Sequence, residues 1–301
     1  MMRLQQLLSL SGAAIVSLAL AGCGSSFVTS PSSSIAGPNF VEGQPFHGVA
    51  MGGQQPIGSS HLYMFAASTS GYGGASTSMI KPVTGATYPS QLDGNGNYYL
   101  LTDFPSGNFY FTKGQYSCVV GQQIYLYLTG GDVNNGSGQN SAISEMALLG
   151  TCNSSGLFSQ LTGNFVYMNE VSTVAAAYAL VGFAVDSTHI GSGPSALSGV
   201  GLVNAFNAAP NMYNINAGAA QGALSTTPSG NGTVPANQIN TIANILASCI
   251  NSAGSSSTNC TTLLSNATSG GTSSVTPTEV STAAINIVHN PAANVANLFT
   301  L

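Results

Sequence analysis

The sequence predicts an α+β multidomain chain: an N-terminal antiparallel β-sandwich over residues 46–165, followed by an all-α helical domain over residues 166–301. Three observations predict it. From residue 46 to about 165, short runs rich in Tyr, Phe and Val are cut by Gly, Asn, Ser and Pro, the pattern of strands and tight turns. From Asn169 onward, apolar residues recur at helical spacing between Ser/Gly/Thr-rich loops. Between the two lies Asn164–Val185, NFVYMNEVSTVAAAYALVGFAV, the most apolar stretch after the first 22 residues.

Composition narrows the function classes. The chain has 301 residues, of which 44% are hydrophobic and 4% charged, against about 25% charged in an ordinary soluble domain. Disorder goes with low hydrophobicity and high net charge, so most of this chain is expected to fold. Its Lys and Arg residues number three: Arg3, Lys81 and Lys113. Nucleic-acid binding by phosphate neutralisation needs several cations on one face, and a polybasic membrane patch needs a cluster, so neither is expected.

Residues 1–22 read as a signal peptide, with Arg3 at the charged start and an apolar region from Leu4 to Leu20 that is short for a spanning helix. It ends in Leu20-Ala21-Gly22-Cys23, which resembles the lipobox of bacterial lipoproteins. The resemblance implies that the Cys23 thiol is diacylated and becomes the mature N-terminus, so that membrane lipid is a partner through an acyl anchor. Gly24, where an aspartate would mark retention in the inner membrane, implies an exported protein held at the outer membrane. Residues 23–45 then comprise the lipidated cysteine and a Ser/Gly/Pro-rich flexible tether.

In the sandwich, the strand candidates begin at His47, Leu62, Tyr98, Phe109 and Ile124, separated by Gly52-Gly53, Gly71-Tyr-Gly-Gly, Asp93-Gly-Asn-Gly-Asn, Pro105-Ser-Gly-Asn and Gly130-Gly-Asp. Asp93 could open a calcium loop, but the sixth and twelfth positions are Tyr98 and Phe104 in place of Gly and Glu, so a hairpin turn is expected. Gly48-Val-Ala-Met-Gly-Gly-Gln-Gln-Pro56, then Leu62-Tyr-Met-Phe, then Thr102-Asp103 with Gly107 and Phe109 resemble a carboxypeptidase-regulatory-like or Cna-B-type domain. That resemblance implies an immunoglobulin- or transthyretin-like sandwich that acts as a rigid spacer or binding module without catalytic residues.

Beyond Cys23 there are four cysteines, Cys118, Cys152, Cys249 and Cys260. An even number in an exported chain reads as disulfides, and nearest-neighbour pairing, 118–152 and 249–260, places one bridge in each half. Metal binding is the rival, but no C-x-x-C spacing occurs. His47 and His61 could meet across a hairpin; half-buried strand histidines are the expectation, with no metal site.

Asn169 is placed as an N-cap with Glu170 in the first turn, and Val171, Val174, Tyr178, Val181 and Val185 share one helical face. The opposite face is mostly alanine, so the helix is expected to be buried. Its uninterrupted apolar run, Val174–Val185, is too short to span a membrane, which takes about 20 residues. Glu170 has no second acid within 15 residues on either side, so a helix-start charge is expected over a catalytic carboxylate. Further helices are predicted over 196–209, 236–252 and 278–289, with a short segment Thr261–Ala267 fastened to the second of them by Cys249 and Cys260. Loops 214–234 and 251–259 are low-complexity and read as mobile.

Asn169-Glu-Val-Ser-Thr-Val-Ala-Ala176, Leu246-Ala-Ser-Cys249-Ile-Asn and Asn286-Ile-Val-His-Asn290-Pro resemble a group of exported bacterial proteins. In these a Cna-B-like sandwich precedes such a helical segment, and an NHL-type propeller commonly follows. A function seated in such a propeller is not expected from these residues.

No G-x-S-x-G, H-E-x-x-H or P-loop motif occurs, and Gly191-Ser-Gly193-Pro lacks the βαβ setting of a dinucleotide loop. No catalytic residue and no cofactor are expected. The reading is a membrane-anchored cell-envelope lipoprotein with a structural, display or binding role and an envelope protein or glycan as partner. The alternative is a glycan-acting envelope enzyme or its carbohydrate-binding accessory, stacking sugars on Tyr98, Tyr99, Tyr110, Tyr125 and Tyr127. Two of Glu145, Glu170, Asp132 and Asp186 about 5–9 Å apart in a pocket would favour that alternative.

Overall fold

The five alternating runs at His47, Leu62, Tyr98, Phe109 and Ile124 become strands, among twelve in the first part of the chain. The computed structural model describes residues 38–222, 232–271 and 274–301; the leader, Cys23 and most of the tether lie outside these residues, as does the middle of the 214–234 loop. In chain order the strands of the first part are β1 (Phe40–Glu42), β2 (Phe46–Gly52), β3 (Gln55–Pro56), β4 (His61–Ala66), β5 (Thr77–Ser78) and β6 (Gln91–Leu92). They continue with β7 (Tyr98–Leu101), β8 (Asn108–Phe111), β9 (Ser117–Val119), β10 (Gln123–Thr129), β11 (Ser144–Thr151) and β12 (Phe165–Met168). The second part holds α1 (Glu170–Ala179), β13 (Ala184–Asp186), β14 (His189–Ile190), α2 (Ala196–Met212), β15 (Tyr213–Asn214) and β16 (Ala219–Ala220). It ends with α3 (Ala236–Ile250), α4 (Thr258–Asn266), α5 (Val280–His289) and α6 (Val295–Leu298). The chain is therefore mixed α+β, with mainly antiparallel sheets first and helices after.

The larger sheet runs β11-β10-β4-β7-β6, with β5 also on β4. Its centre is β10, where Leu126 stands between Met64 of β4 and Ala147 of β11. Period-two alternation sends Ile124, Leu126 and Leu128 to one face and Tyr125 and Tyr127 to the other, yet all five are buried. Both faces are covered, because the helical part closes over the tyrosine face. Tyr125 donates to the Ser187 carbonyl at 3.0 Å, and its hydroxyl lies 2.8 Å from Ser76 Oγ. Tyr127 donates to the Glu279 carboxylate just ahead of α5.

The smaller sheet runs β12-β2-β3, with β8 on the other side of β2. Here the purely antiparallel expectation is corrected: β12 pairs with β2 in parallel, Phe165 opposite His47 through Met168 opposite Ala50. A parallel neighbour needs a long crossover, and the intervening chain from β3 to β11, which includes all of the larger sheet, supplies it. Gly48 lies at this three-strand junction, where a Cβ would meet the Val166 carbonyl and the Phe109 ring. The Thr102–Phe109 segment is a tight turn and not a hairpin, because β7 belongs to the larger sheet and β8 to the smaller one: Asp103 donates its amide to the Asn108 carbonyl at 2.8 Å, and Gly107 takes a positive φ of 67°.

Three further expectations are corrected. The tether is not irregular throughout, since β1 within it pairs with β9, Val41 opposite Cys118. The part after residue 165 is not all helix, since β13 pairs with β14 and β15 with β16. The central helix stops at Ala179, with Leu180 as its C-cap, so Val181 and Val185 are exposed. Its buried side is Thr173–Ala177, where the small alanines let β11, α3 and α5 approach closely. Strand and helix residues join in one cluster of buried side chains running from Phe46 to Leu298. Among the described residues no helix is long and apolar enough to cross a membrane.

Candidate functional site at the head of the central helix

The head of α1 is where the two sheets and the helical layer meet. Asn169 is extended (φ −165°) and caps the helix: its Oδ1 accepts the Ser172 amide at 3.0 Å, and Ser172 Oγ accepts the Asn169 amide at 2.9 Å. The same hydroxyls reach the open edge of β11. Ser172 Oγ lies 2.7 Å from the Met146 carbonyl, and the Met146 amide donates to Thr173 Oγ1 at 3.0 Å. Side chains thus satisfy an edge strand where no partner strand stands. Asn169 Nδ2 donates to the Gly218 carbonyl at 2.7 Å, bringing in the β15–β16 turn. Glu170 accepts the Gly53 amide at 2.6 Å, bringing in the β2–β3 turn.

Into this junction β11 projects Glu145. It is wholly buried, opposite Leu128 in the ladder, and neither carboxyl oxygen has a hydrogen-bond partner. Burial, and after it the charge of Glu170, push its pKa well above the usual carboxylate range. Glu170 is raised by burial to about 7, against the pull of its own backbone amide and the Gly53 amide. Burial thus favours the protonated form of both carboxyls, and of Glu145 more strongly than of Glu170. The Tyr213 hydroxyl is also buried without a partner. Ser172 is close to it, but the Ser172 hydroxyl is committed to Asn169 and Met146. Burial raises the Tyr213 and Tyr167 phenols, and Glu145 raises both further.

Two carboxyls whose environments push their proton affinities apart are the arrangement that acid–base catalysts use. Catalysis also needs access, and neither Glu145 nor Glu170 lines any of the five best-formed cavities among the described residues. What the arrangement can do is bind a proton out of contact with solvent. Sequence reasoning placed Glu170 correctly at the helix start and found no acidic neighbour; the fold supplies one from 25 positions upstream. The available signal was Glu145 itself, a lone charge in the apolar run from Ala142 to Leu149.

The other predicted residues are placed as follows. Cys118 and Cys152 stand at disulfide distance with Cα atoms 6.3 Å apart, and so do Cys249 and Cys260 at 4.4 Å. Cys23 lies outside the described residues. His61 stacks on Tyr99 at 4.0 Å between ring centres, whereas His47 packs on Phe165 and Tyr110 in the other sheet. Among the described residues no three His, Cys, Asp or Glu gather in a metal-binding group. Asp93 Oδ1 accepts the Asn95 and Asn97 amides, each at 2.8 Å, and its Oδ2 accepts the Tyr63 hydroxyl at 3.1 Å, so the turn is tied to β4. Asp132 accepts the Asn134 amide, and Asp186 engages Thr188 and His189 in the β13–β14 turn.

The tyrosines proposed as a sugar-stacking surface are mostly spent in packing. Tyr99, Tyr125 and Tyr127 are buried, and the rings of Tyr63, Phe65, Tyr99, Tyr125 and Tyr127 lie against one another at 5.6–6.2 Å. Tyr98 and Tyr110 remain half-buried. The most apolar of the described cavities, about 440 Å³, opens instead between α1, α3, α5 and α6. It is walled by Ile242, Ile245, Ile287, Leu298 and Phe299 with Tyr178 at its side, and no charged residue lines it.

No protein-family model, curated protein or solved structure matches this chain.

Proposed function

We propose that the chain is an exported lipoprotein of the cell envelope, anchored through an acylated Cys23 and serving a structural, display or binding role. One observation carries the reading. Of five cysteines, four pair with their nearest neighbours at disulfide distance inside the folded part. The fifth stands alone in Leu20-Ala21-Gly22-Cys23, at the end of an apolar leader. Buried cysteine pairs suit an oxidising compartment, and the odd cysteine sits where acylation chemistry needs it.

Within that role, the larger sheet and β2 with its neighbours form an immunoglobulin- or transthyretin-like sandwich, and the helices a second domain packed on it. Outer-membrane rather than inner-membrane placement rests on Gly24. The binding part of the proposal rests on the uncharged cavity beside Tyr178 and Phe299, whose size falls in the range of small-molecule sites.

Mass spectrometry of the intact, membrane-extracted protein tests the anchor. A diacylglyceryl mass on the N-terminal fragment, lost in Cys23→Ser, is the expected result. Release of an unmodified chain into the medium would refute the proposal.

A further inference from the structure

We infer that the head of α1 is an interior proton-binding site: the Glu145–Glu170 pair carries at most one negative charge while closed, and ionisation of both carboxyls opens the seam where β11, β12, the β2–β3 turn and β15 meet. The inference does not depend on the anchor or on the envelope role.

The geometry argues it group by group. Glu145 enters from β11 fully buried, with both oxygens unpartnered, the condition in which a carboxylate is most costly and a neutral acid far less so. Glu170 stands in the first turn of α1, which the Ser172 and Thr173 hydroxyls hold against the Met146 backbone next to Glu145, and there the helix dipole and the Gly53 amide can hold one negative charge. From β12 comes Tyr167 and from β15 Tyr213, two phenols that are neutral near pH 7 and cannot balance an anion. Opposite Glu145 on β10 is Leu128, and the β2–β3 turn offers a backbone amide.

No cation answers the pair among the described residues. The two ion pairs found there, Lys113 with Glu42 and His189 with Asp186, lie at the surface. Lys81 donates to Ser117 at 2.7 Å. A second charge in the seam would have to be hydrated, and that hydration competes with polar contacts already named: Gly53 to Glu170, Asn169 to Gly218, and Met146 to Ser172 and Thr173. Those contacts join four separate elements, so their loss frees the head of α1 from the sheets.

The sign of the effect follows from linkage. Both carboxyls hold protons more tightly folded than unfolded, where the ordinary value is 4.5. Their contribution to stability is therefore fully present below about pH 4.5 and is lost as pH rises, through about 7 for Glu170 and higher still for Glu145.

Urea unfolding of the full chain, wild type against Glu145→Gln and Glu170→Gln, between about pH 5 and 9 tests it. The wild-type unfolding constant is expected to rise with pH, by up to about tenfold per unit for each proton that the native state alone retains. Each variant should lose one such factor, Glu170→Gln below about pH 7 and Glu145→Gln across the range. Infrared spectroscopy of the wild type at neutral pH should show the carbonyl band of a protonated carboxyl, weaker in Glu145→Gln, where Glu170 alone can contribute to it. If Glu145→Gln does not fold, the wild-type band and the Glu170→Gln slope decide. A wild-type constant independent of pH, a slope unchanged in the folded variants, or no protonated-carboxyl band would overturn the inference.

Discussion

The Glu170 carboxylate and the Gly53 amide meet at 2.6 Å across 117 positions of sequence. Through this contact a tight turn of the smaller sheet is fastened to the first turn of the central helix. Replacing Glu170 by Gln keeps an acceptor for the amide of the exposed Gly53, whereas Leu removes it. Glu170→Leu is therefore expected to be less stable than Glu170→Gln by about 0.5–1.5 kcal/mol. The comparison between variants removes the charge-burial cost, and the two urea midpoints at matched slope measure it.

Thr173 protects the edge of β11 by accepting the Met146 amide at 3.0 Å. Thr173→Val preserves shape but strips that acceptor, for an expected loss of about 1–3 kcal/mol, while Thr173→Ser keeps the hydroxyl and should lose less. Amide exchange at Met146 should accelerate in the Val variant and not in the Ser variant. Equal exchange in both would show that the hydroxyl does not hold this edge.

The cysteine pairs close loops of different length, with separations of 34 and 11 residues. On the loop-entropy account, breaking Cys118–Cys152 by double Ser substitution costs about 4 kcal/mol and breaking Cys249–Cys260 about 3 kcal/mol. Thermal or urea unfolding of the two double variants should rank them in that order. Non-reducing peptide mapping of the protein should recover the two bridged peptides and no cross-paired ones.

Gly48 and Gly94 test packing against backbone freedom. A Cβ at Gly48 would meet the Val166 carbonyl and the Phe109 ring where β12, β2 and β8 cross, whereas nothing lies within 4 Å of one at Gly94. Gly48→Ala is expected to destabilise by about 1–3 kcal/mol through strand displacement. Gly94→Ala should stay within about 0.5 kcal/mol of wild type. A Gly48→Ala protein of wild-type stability would mean that the three strands part more easily than their close approach implies.

Much of the local structure was legible because it is written in short-range patterns. The helix of residues 236–252 is observed over Ala236–Ile250 with Ile239, Leu246, Cys249 and Ile250 buried, since a 3.6-residue stripe needs only one apolar face to pack on. The strands around Leu62, Tyr98, Phe109 and Ile124 were legible for the same reason at period two. Ser144–Thr151 was missed as a strand. It is buried on both faces and carries small residues, so it shows no alternation. The central helix was drawn too long, because the valines at 181 and 185 continue its spacing while the chain turns at Leu180 into the short β13–β14 ribbon.

The sequence by itself determined the mixed α+β order, the helix start at Asn169 and the nearest-neighbour cysteine pairing, all set by composition, caps and spacing along the chain. Tertiary structure alone decided that β12 would run parallel to β2, that the tyrosines of β10 would be covered, and that Glu145 would meet Glu170. The physical reason is that a buried carboxyl takes its protonation from what surrounds it in space. Residues distant in sequence became its surroundings only when two sheets and a helix closed on one junction.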